Sequence, residues 1–495
     1  MTAAAIIASA GAESCHPWPR HILTPTDWAA MAAFLVADPS LALVGLWADT
    51  THVHALFLTE AEDLPLLASV PVEAGAYTAL SPARPGAAWF ERLIHDLWGH
   101  AATGGMDARP WLDHGLWPHS APLSPRPVPP PAMAEPPDFL PPTEDGLFQL
   151  PIGPIIGCID DAWHLRLTLR GETVERAEAR LGYTHKGTLA LMRGKPPRTA
   201  ARFVARLGAE ATVAHSLAFA LATEAALAVA APPRAATLRR MMGELERITV
   251  HLGDLALLGD AAGAPGVAAT CGEQRELLAR ELEIAFGHRL MMDCVVPGGV
   301  AADVGPEGMR AVRRGVGRVV TALPGLRRLL ESSACLTRLV GLGRVDRQMV
   351  HAFAAGGVAG RASGRRFDAR QLRDERSVTA PIDTTGDAAA RCRLQLVEIE
   401  SSLRLLGRLL DTLPDGGTSV ALPMLSGEGI GCAESARGDV WHWLRLDHGQ
   451  IAAAFPRDPG WALWPLAEWA MQGAALEDVP AIQRSFGLTA SGADL

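Results

Sequence analysis

Five side chains stand out as able to bind a metal or move charge: Cys158, His164, Arg206, Glu210 and His215. The Cys158 thiol and the Glu210 carboxylate could hold a transition metal only with help from His164 or His215. Tight binding needs several converging ligands and a shell that supports them. Without that convergence Cys158 reads as a small buried hydrophobe. His215 opens a long apolar stretch. It could hold a ligand or bond a backbone carbonyl, and the commoner role of a core histidine is a satisfied partner that orients its loop. Glu244, Arg247 and His251 recur at helical spacing and share one face, as an exposed charged ladder would. His95 and His100 fall off one another's helix face and are not read as a metal pair. The glycine-rich pieces Gly427–Gly431 and Gly341–Gly343 lack the strand–turn–helix context of a dinucleotide site. No Ser–His–Asp arrangement, H-E-x-x-H or P-loop is visible.

The elements that must position these groups belong to a chain of 495 residues, long enough for two or three domains. Hydrophobic residues make up 48% and charged residues 20%, which is ordinary for a soluble globular protein. A net charge of −9 without a basic stripe gives no reason to expect nucleic acid. The seven cysteines include no C-x-x-C, and their odd number argues against a zinc knuckle or a disulfide framework. That usage suits a reducing cytoplasm. The apolar start has no basic flank and is short for a signal peptide. No apolar run approaches the roughly 20 residues of a spanning helix, so a membrane link must come through partners.

Residues Pro118–Pro142 hold eleven prolines, which cannot build helix or sheet core and read as a linker or surface strap. The expected fold is α+β: a small α/β domain over 1–117, a Pro-rich linker over 118–149, and a mainly helical bundle with small β appendages over 150–495. In the first part, Leu41–Trp47 and His52–Thr59 form a plausible hairpin, and Asp27–Ala37 and Ala87–Trp98 have helical spacing. In the last, helices are expected over Thr212–Ala231, Arg234–Ala261, Gly272–Phe286, Pro306–Ser333 and Asp387–Leu413. Alternating patterns return over Ser426–Phe455, followed by a short helix around Trp464–Gly473.

Several separated motifs occur in one order. They are Leu181-Gly-Tyr-Thr-His-Lys-Gly187, Arg206…His215-Ser216, Gly287–Asp293 with Pro297-Gly-Gly299, Gly360–Gly364, Thr385-Gly-Asp387…Arg391, Glu428-Gly429…Arg437-Gly438 and Arg457-Asp-Pro459…Trp464-Pro465. Together they resemble the superfamily of nickel–iron hydrogenase large subunits and the 49 kDa quinone-site component of respiratory complex I. Glu91–Gly99 with Trp117-Pro118 and Pro122-Leu123 looks like the small hydrophilic 30 kDa component that pairs with it. A fusion of the two resembles the large subunit of energy-converting, formate hydrogenlyase-type hydrogenases.

Departures from the pattern set the functional expectation. The positions matching the two metal-binding Cys-x-x-Cys pairs are Gly208 and Ala211, then Thr489 and Gly492. Glycine, alanine and one hydroxyl cannot build a thiolate-bound nickel site. Ile156 stands where complex I relatives carry a quinone-site histidine, Ala209 stands for its tyrosine, and Thr188-Leu189 replaces a proton-passing glutamate. The resemblance implies a cavity formed from Ile156, Cys158, His164, His185, Arg206, Glu210, His215 and Asp387, with Arg206 paired to Asp387. It turns the Glu244–His251 face toward an iron–sulfur subunit or the pocket. The expected role is a subunit of a membrane-associated redox complex with no metal or cofactor of its own. Such a subunit would cover an iron–sulfur cluster in a small-subunit partner, beside antiporter-like membrane subunits on the inner face of the cell membrane. A quinone or other acceptor could dock between Ile155–Asp161, Arg206–His215 and the C-terminal tail. The alternative is a non-catalytic scaffold that couples a partner enzyme to membrane subunits.

Overall fold

The computed structural model describes residues 2–59, 64–130, 138–155, 161–332, 334–373 and 380–495. The first part carries α1 (Ala3–Ser9), β1 (Gly11–Glu13), β2 (Arg20–Ile22), α2 (Pro25–Leu35), β3 (Leu41–Ala48), β4 (His52–Thr59) and β5 (Pro65–Pro71). The strands form one sheet in the order β1-β2-β5-β4-β3, with only β2 and β5 parallel among these pairs. The expected hairpin is β3–β4. Its turn closes because one Asp49 oxygen accepts from the backbone of both Thr51 and His52. Thr24 caps α2 ahead of Pro25, whose fixed φ suits a first helical residue. A short parallel pair, β6 (Ala76–Thr78) and β7 (Ala101–Thr103), brackets α3 (Ala87–Trp98).

Beyond the proline-rich stretch, β8 (Phe148–Ile152), β9 (His164–Arg170) and β10 (Thr173–Arg180) make an antiparallel sheet. The helical body follows: α4 (Thr188–Met192), α5 (Pro197–Val204), α6 (Thr212–Ala226), α7 (Pro233–Ala261), α8 (Pro265–Phe286), then the strand pair β11 (Val295–Val296) and β12 (Gly299–Val300). After these come α9 (Pro306–Ser332), α10 (Ala334–Leu339), α11 (Arg347–Ala352), α12 (Gly357–Ala362) and α13 (Ala388–Asp411). The chain closes with the meander β13 (Gly427–Glu434), β14 (Asp439–Asp447) and β15 (Gln450–Arg457), then α14 (Gly460–Met471) and α15 (Val479–Phe486). The fold is mixed helix and sheet. Two helices differ most from the expected spans. α6 stops at Ala226, because the chain turns through a positive φ at Ala228 and runs extended into Pro232-Pro233. α8 starts at Pro265 rather than Gly272, with proline in the first turn, where no N–H is missed.

The Gly427-Glu-Gly-Ile-Gly431 run has a packing explanation. Gly427, Gly429 and Gly431 lie on one face of β13, and a Cβ at each would sit 2.2 Å from the carbonyl oxygens of Ala226, Ala222 and Ala218. Strand and helix backbones therefore touch, which only glycine permits. The other face of β13 turns Glu428 toward the N-terminal sheet, where it accepts from Arg20 at 2.7 Å and from the Trp443 indole at 2.9 Å. Around that contact Trp47 stacks on Phe455 and packs on Trp443, and Arg457 donates to the Val44 carbonyl. The N-terminal sheet and the C-terminal meander thus share one core.

Candidate functional site

The first loop of interest leads into α6. Gly208 is extended, Ala209–Ala211 makes one 3-10 turn, and α6 starts at Thr212 without a side-chain cap of its own. The cap comes from α7: the buried Glu246 carboxylate accepts from Val213 N at 2.6 Å and Ala214 N at 3.1 Å. Burial pushes Glu246 up to about 8 while these two backbone bonds pull the other way.

The C-terminal segment lies directly beside this loop. Gly487 takes the left-handed conformation after α15 and turns the chain. Thr489 Oγ1 then donates to Glu210 Oε1 at 2.5 Å, and the Trp464 indole holds the Thr489 carbonyl at 2.8 Å. Lys186 ties the segments together, donating from Nζ to Leu207 O at 2.6 Å, to Ser491 Oγ at 2.9 Å and to the Ser491 carbonyl. His185 Nδ1 bonds Asp494 O at 2.6 Å and its ring stacks on Trp117. Ser491 N donates to Asp161.

Behind these segments lies a chain of charges. Arg437 bridges Glu210 at 3.3 Å and Asp254 of α7 at 2.8 Å. His215, fully buried, bonds Asp458 through Nε2 and His442 through Nδ1, both at 3.0 Å. Burial alone would raise Asp458. The His215 bond and charge outweigh it and hold the carboxyl below its usual range. Burial and the facing His215 depress His442, which is therefore a neutral imidazole. The void enclosed by Glu210, Arg437, Asp458, Leu463 and Thr489 is about 10 Å³, room for about one water.

This geometry does not fit a nickel–iron centre. A Cβ at Gly208 would meet Glu210 Oε1 at 3.2 Å, and one at Gly492 would lie 2.2 Å from the Asp458 carboxyl carbon. Carboxylates held by Arg437 and His215 fill the space beside Gly208 and Gly492. Among the described residues, no group of three or more His, Cys, Asp or Glu is placed to hold a metal.

The other described candidates disperse. Ile156 and Cys158 lie outside the described residues. His164, on β9, faces Phe139 at 4.5 Å and the Arg166 charge rather than Glu210 or His215. Arg206 does not pair with Asp387. It makes a two-pronged, largely exposed pair with Asp293 at 2.7 and 2.8 Å. Asp387 caps α13, its two oxygens taken by Ala390 N and Gly341 N. Glu244, Arg247 and His251 form no exposed ladder. They are buried against Glu398, Arg370 and the β13–β14 turn.

Sequence reasoning missed Lys186, Glu246, Asp254, Arg437, His442 and Asp458. Arg437 and Asp458 sit inside the ordered motifs, and two acids flanking Leu245 within an apolar helix were a signal for Glu246. A Ser–His–Asp line also exists. His54 bonds Ser69 Oγ at 2.7 Å and Asp49 at 3.3 Å, but each of the three is at most 1% exposed, so no substrate reaches the hydroxyl.

This scaffold has known kin. The family described as "Respiratory-chain NADH dehydrogenase, 49 Kd subunit" matches residues 261–426. NADH dehydrogenase (ubiquinone) iron-sulfur protein 2 of Arabidopsis thaliana is 30% identical over 276 residues, spanning 54% of this chain and 70% of that protein. The chain belongs to this 49 kDa family. A longer alignment within the wider kinship, 82% of this chain and 74% of the relative, is with formate hydrogenlyase subunit 5 of Escherichia coli (strain K12), at 28% identity. The family fold is shared with a chain of the membrane-bound sulfane sulfur reductase, an archaeal respiratory membrane complex. That match has a TM-score of 0.66 and 24% identity, and covers 72% of this chain and 100% of the other. Among the described residues of this family member, no helix is long and apolar enough to cross a membrane.

Proposed function

We propose that this chain is a peripheral subunit of a membrane-associated redox complex related to NADH-quinone oxidoreductase and energy-converting hydrogenase, and that it works without a nickel–iron centre of its own. Its organisation is a 30 kDa-like unit over 1–117, a proline-rich linker over 118–149 and a hydrogenase-like unit over 150–495. It packs on an iron–sulfur small subunit, sits beside antiporter-like membrane subunits on the inner face of the membrane, and lines a redox-linked cavity. The observation that carries this reading is the meeting of the 206–215 loop with the 487–495 segment. The loop and tail of a metal-binding scaffold remain together while Arg437, Glu210 and Asp458 occupy the metal's place. Electrons would pass close to the chain between partner-held groups.

The test is to purify the complex, assay nickel and iron, and follow reduction of its iron–sulfur clusters with candidate donors and quinones. Cluster reduction without nickel in this chain is expected, and stoichiometric nickel bound to it would defeat the reading. The same filled pocket, with space for about one water, favours a second reading, a scaffold that couples a partner enzyme to membrane subunits. Clusters that no donor or quinone turns over would favour the scaffold.

A further inference from the structure

A second group of buried charges, which the candidate site does not use, lies between α7, α12, α13 and the start of the β13–β14 turn. Arg361 pairs with Glu398 at 2.5 Å and Glu434 at 2.8 Å, and Asp368 lies 3.7 Å away. Arg370 pairs with Asp368 at 2.7 Å and Glu244 at 2.9 Å. Arg247 lies 3.5 Å from both Glu244 and Glu398. His251 bonds Glu398 through Nε2 at 2.9 Å, while its buried Nδ1 has no hydrogen-bond partner. All of these side chains are at most 7% exposed. Among the described residues the inner group thus sets four carboxylates, Glu244, Asp368, Glu398 and Glu434, against three guanidinium groups, Arg247, Arg361 and Arg370. Around it, Asp439 pairs with Arg457 at 3.3 Å and lies 4.0 Å from Arg365, and Glu246, beside Arg247, is pushed up by burial. Four ionised carboxylates against three guanidinium groups at this depth are costly, which favours one bound proton within the group.

We propose that this cluster is a protonation site: it holds one exchangeable proton, shared between Glu434 and the His251–Glu398 pair, and passes its charge state to Arg437 through the β13–β14 turn. The connection is direct. Arg247 donates to the carbonyls of Glu434 at 2.9 Å and Ser435 at 3.1 Å. Ser435 Oγ in turn accepts from Arg437 N at 3.2 Å, and the Arg437 side chain then reaches Asp254 and Glu210 in the candidate site. Burial, aided by the charge of Asp368, pushes Glu434 up to about 7, whereas Arg361 and His251 outweigh burial to hold Glu398 well below the usual carboxylate range. The proton is a property of the interacting group rather than of one residue. Its use in a redox reaction rests on the function proposed above; its existence does not.

The purified complex is titrated from about pH 9 to about pH 5 and followed by infrared difference spectroscopy in light and heavy water. Wild type is expected to gain a buried carboxylic acid C=O band that Glu434→Gln lacks. Asp368→Asn also restores three against three, so the same band is lost there, which keeps the test open should Glu434→Gln fail to fold. A wild-type titration that neither variant alters overturns the proposal. A band lost as expected in a complex without redox turnover would leave the protonation site standing and sink the redox reading.

Discussion

Asp458 occupies the space that a side chain at Gly492 would need, since a Cβ there would come within 2.2 Å of the Asp458 carboxyl carbon. The same Asp458 is fixed by His215 at 3.0 Å and by Gly460 N at 2.7 Å, so it cannot yield cheaply. Gly492→Ala is expected to cost about 1–3 kcal/mol by overpacking, read as a lower denaturation midpoint. Loosening of the tail would show as faster proteolysis near residue 490.

Restoring thiols should not restore the metal. A variant with cysteine at 208, 211, 489 and 492 still has Asp458, Glu210 and Arg437 in the site. Elemental analysis is expected to find no stoichiometric nickel. Nickel bound at one equivalent would show that the pocket is less filled than its geometry indicates.

Arg437 is the cation that pairs with both Glu210 and Asp254. Its removal takes away the guanidinium that Glu210 and Asp254 share. Arg437→Met is expected to destabilise by about 3–5 kcal/mol, the cost of stranding buried charge. Adding Glu210→Gln should recover part of that loss, and a double-mutant cycle in urea measures the coupling.

The helix–strand contact makes its own prediction. Gly429→Ala drives a Cβ to 2.2 Å from Ala222 O and 2.7 Å from Ala226 N, both backbone atoms that cannot step aside. A loss of about 1–3 kcal/mol or more is expected, with Gly417→Ala, where a Cβ meets nothing within 4 Å, as the neutral control.

Acid should release the stretch that leads into the proline-rich segment. Burial by itself would raise Asp107, but hydrogen bonds from Arg109 and the charges of Arg92 and Arg109 hold it down to about 2. Because its folded value lies below the unfolded one of about 4, its contribution is present above about pH 4 and is lost as pH falls through about 2. Asp107→Asn is expected to lower stability at neutral pH and to flatten the acid limb of a stability–pH curve.

Much of the architecture was legible because local rules agree with the tertiary ones. The β3–β4 hairpin, α3, α7, α9 and α13 follow from periodicity with proline and glycine punctuation. Where expectation and structure part, the cause is specific. α6 ends early because the chain turns through a positive φ at Ala228, and α8 begins early because proline serves as its first residue. The Arg206–Asp387 pair failed because Asp387 spends both oxygens on backbone N–H groups, which no spacing reveals.

By itself the sequence determined the family, through ordered motifs, and set glycine, alanine and threonine, which carry no thiolate, at 208, 211, 489 and 492. It also determined which strand could touch a helix, because only glycine lacks the Cβ that would forbid it. What fills the space between the 206–215 loop and the C-terminal segment was decided in three dimensions. Glu210 meets Thr489, Arg437 and, through Arg437, Asp254. These residues come from distant stretches of chain, and a charge pairs with whatever packing brings within a few ångströms, at a distance that one-dimensional spacing does not encode.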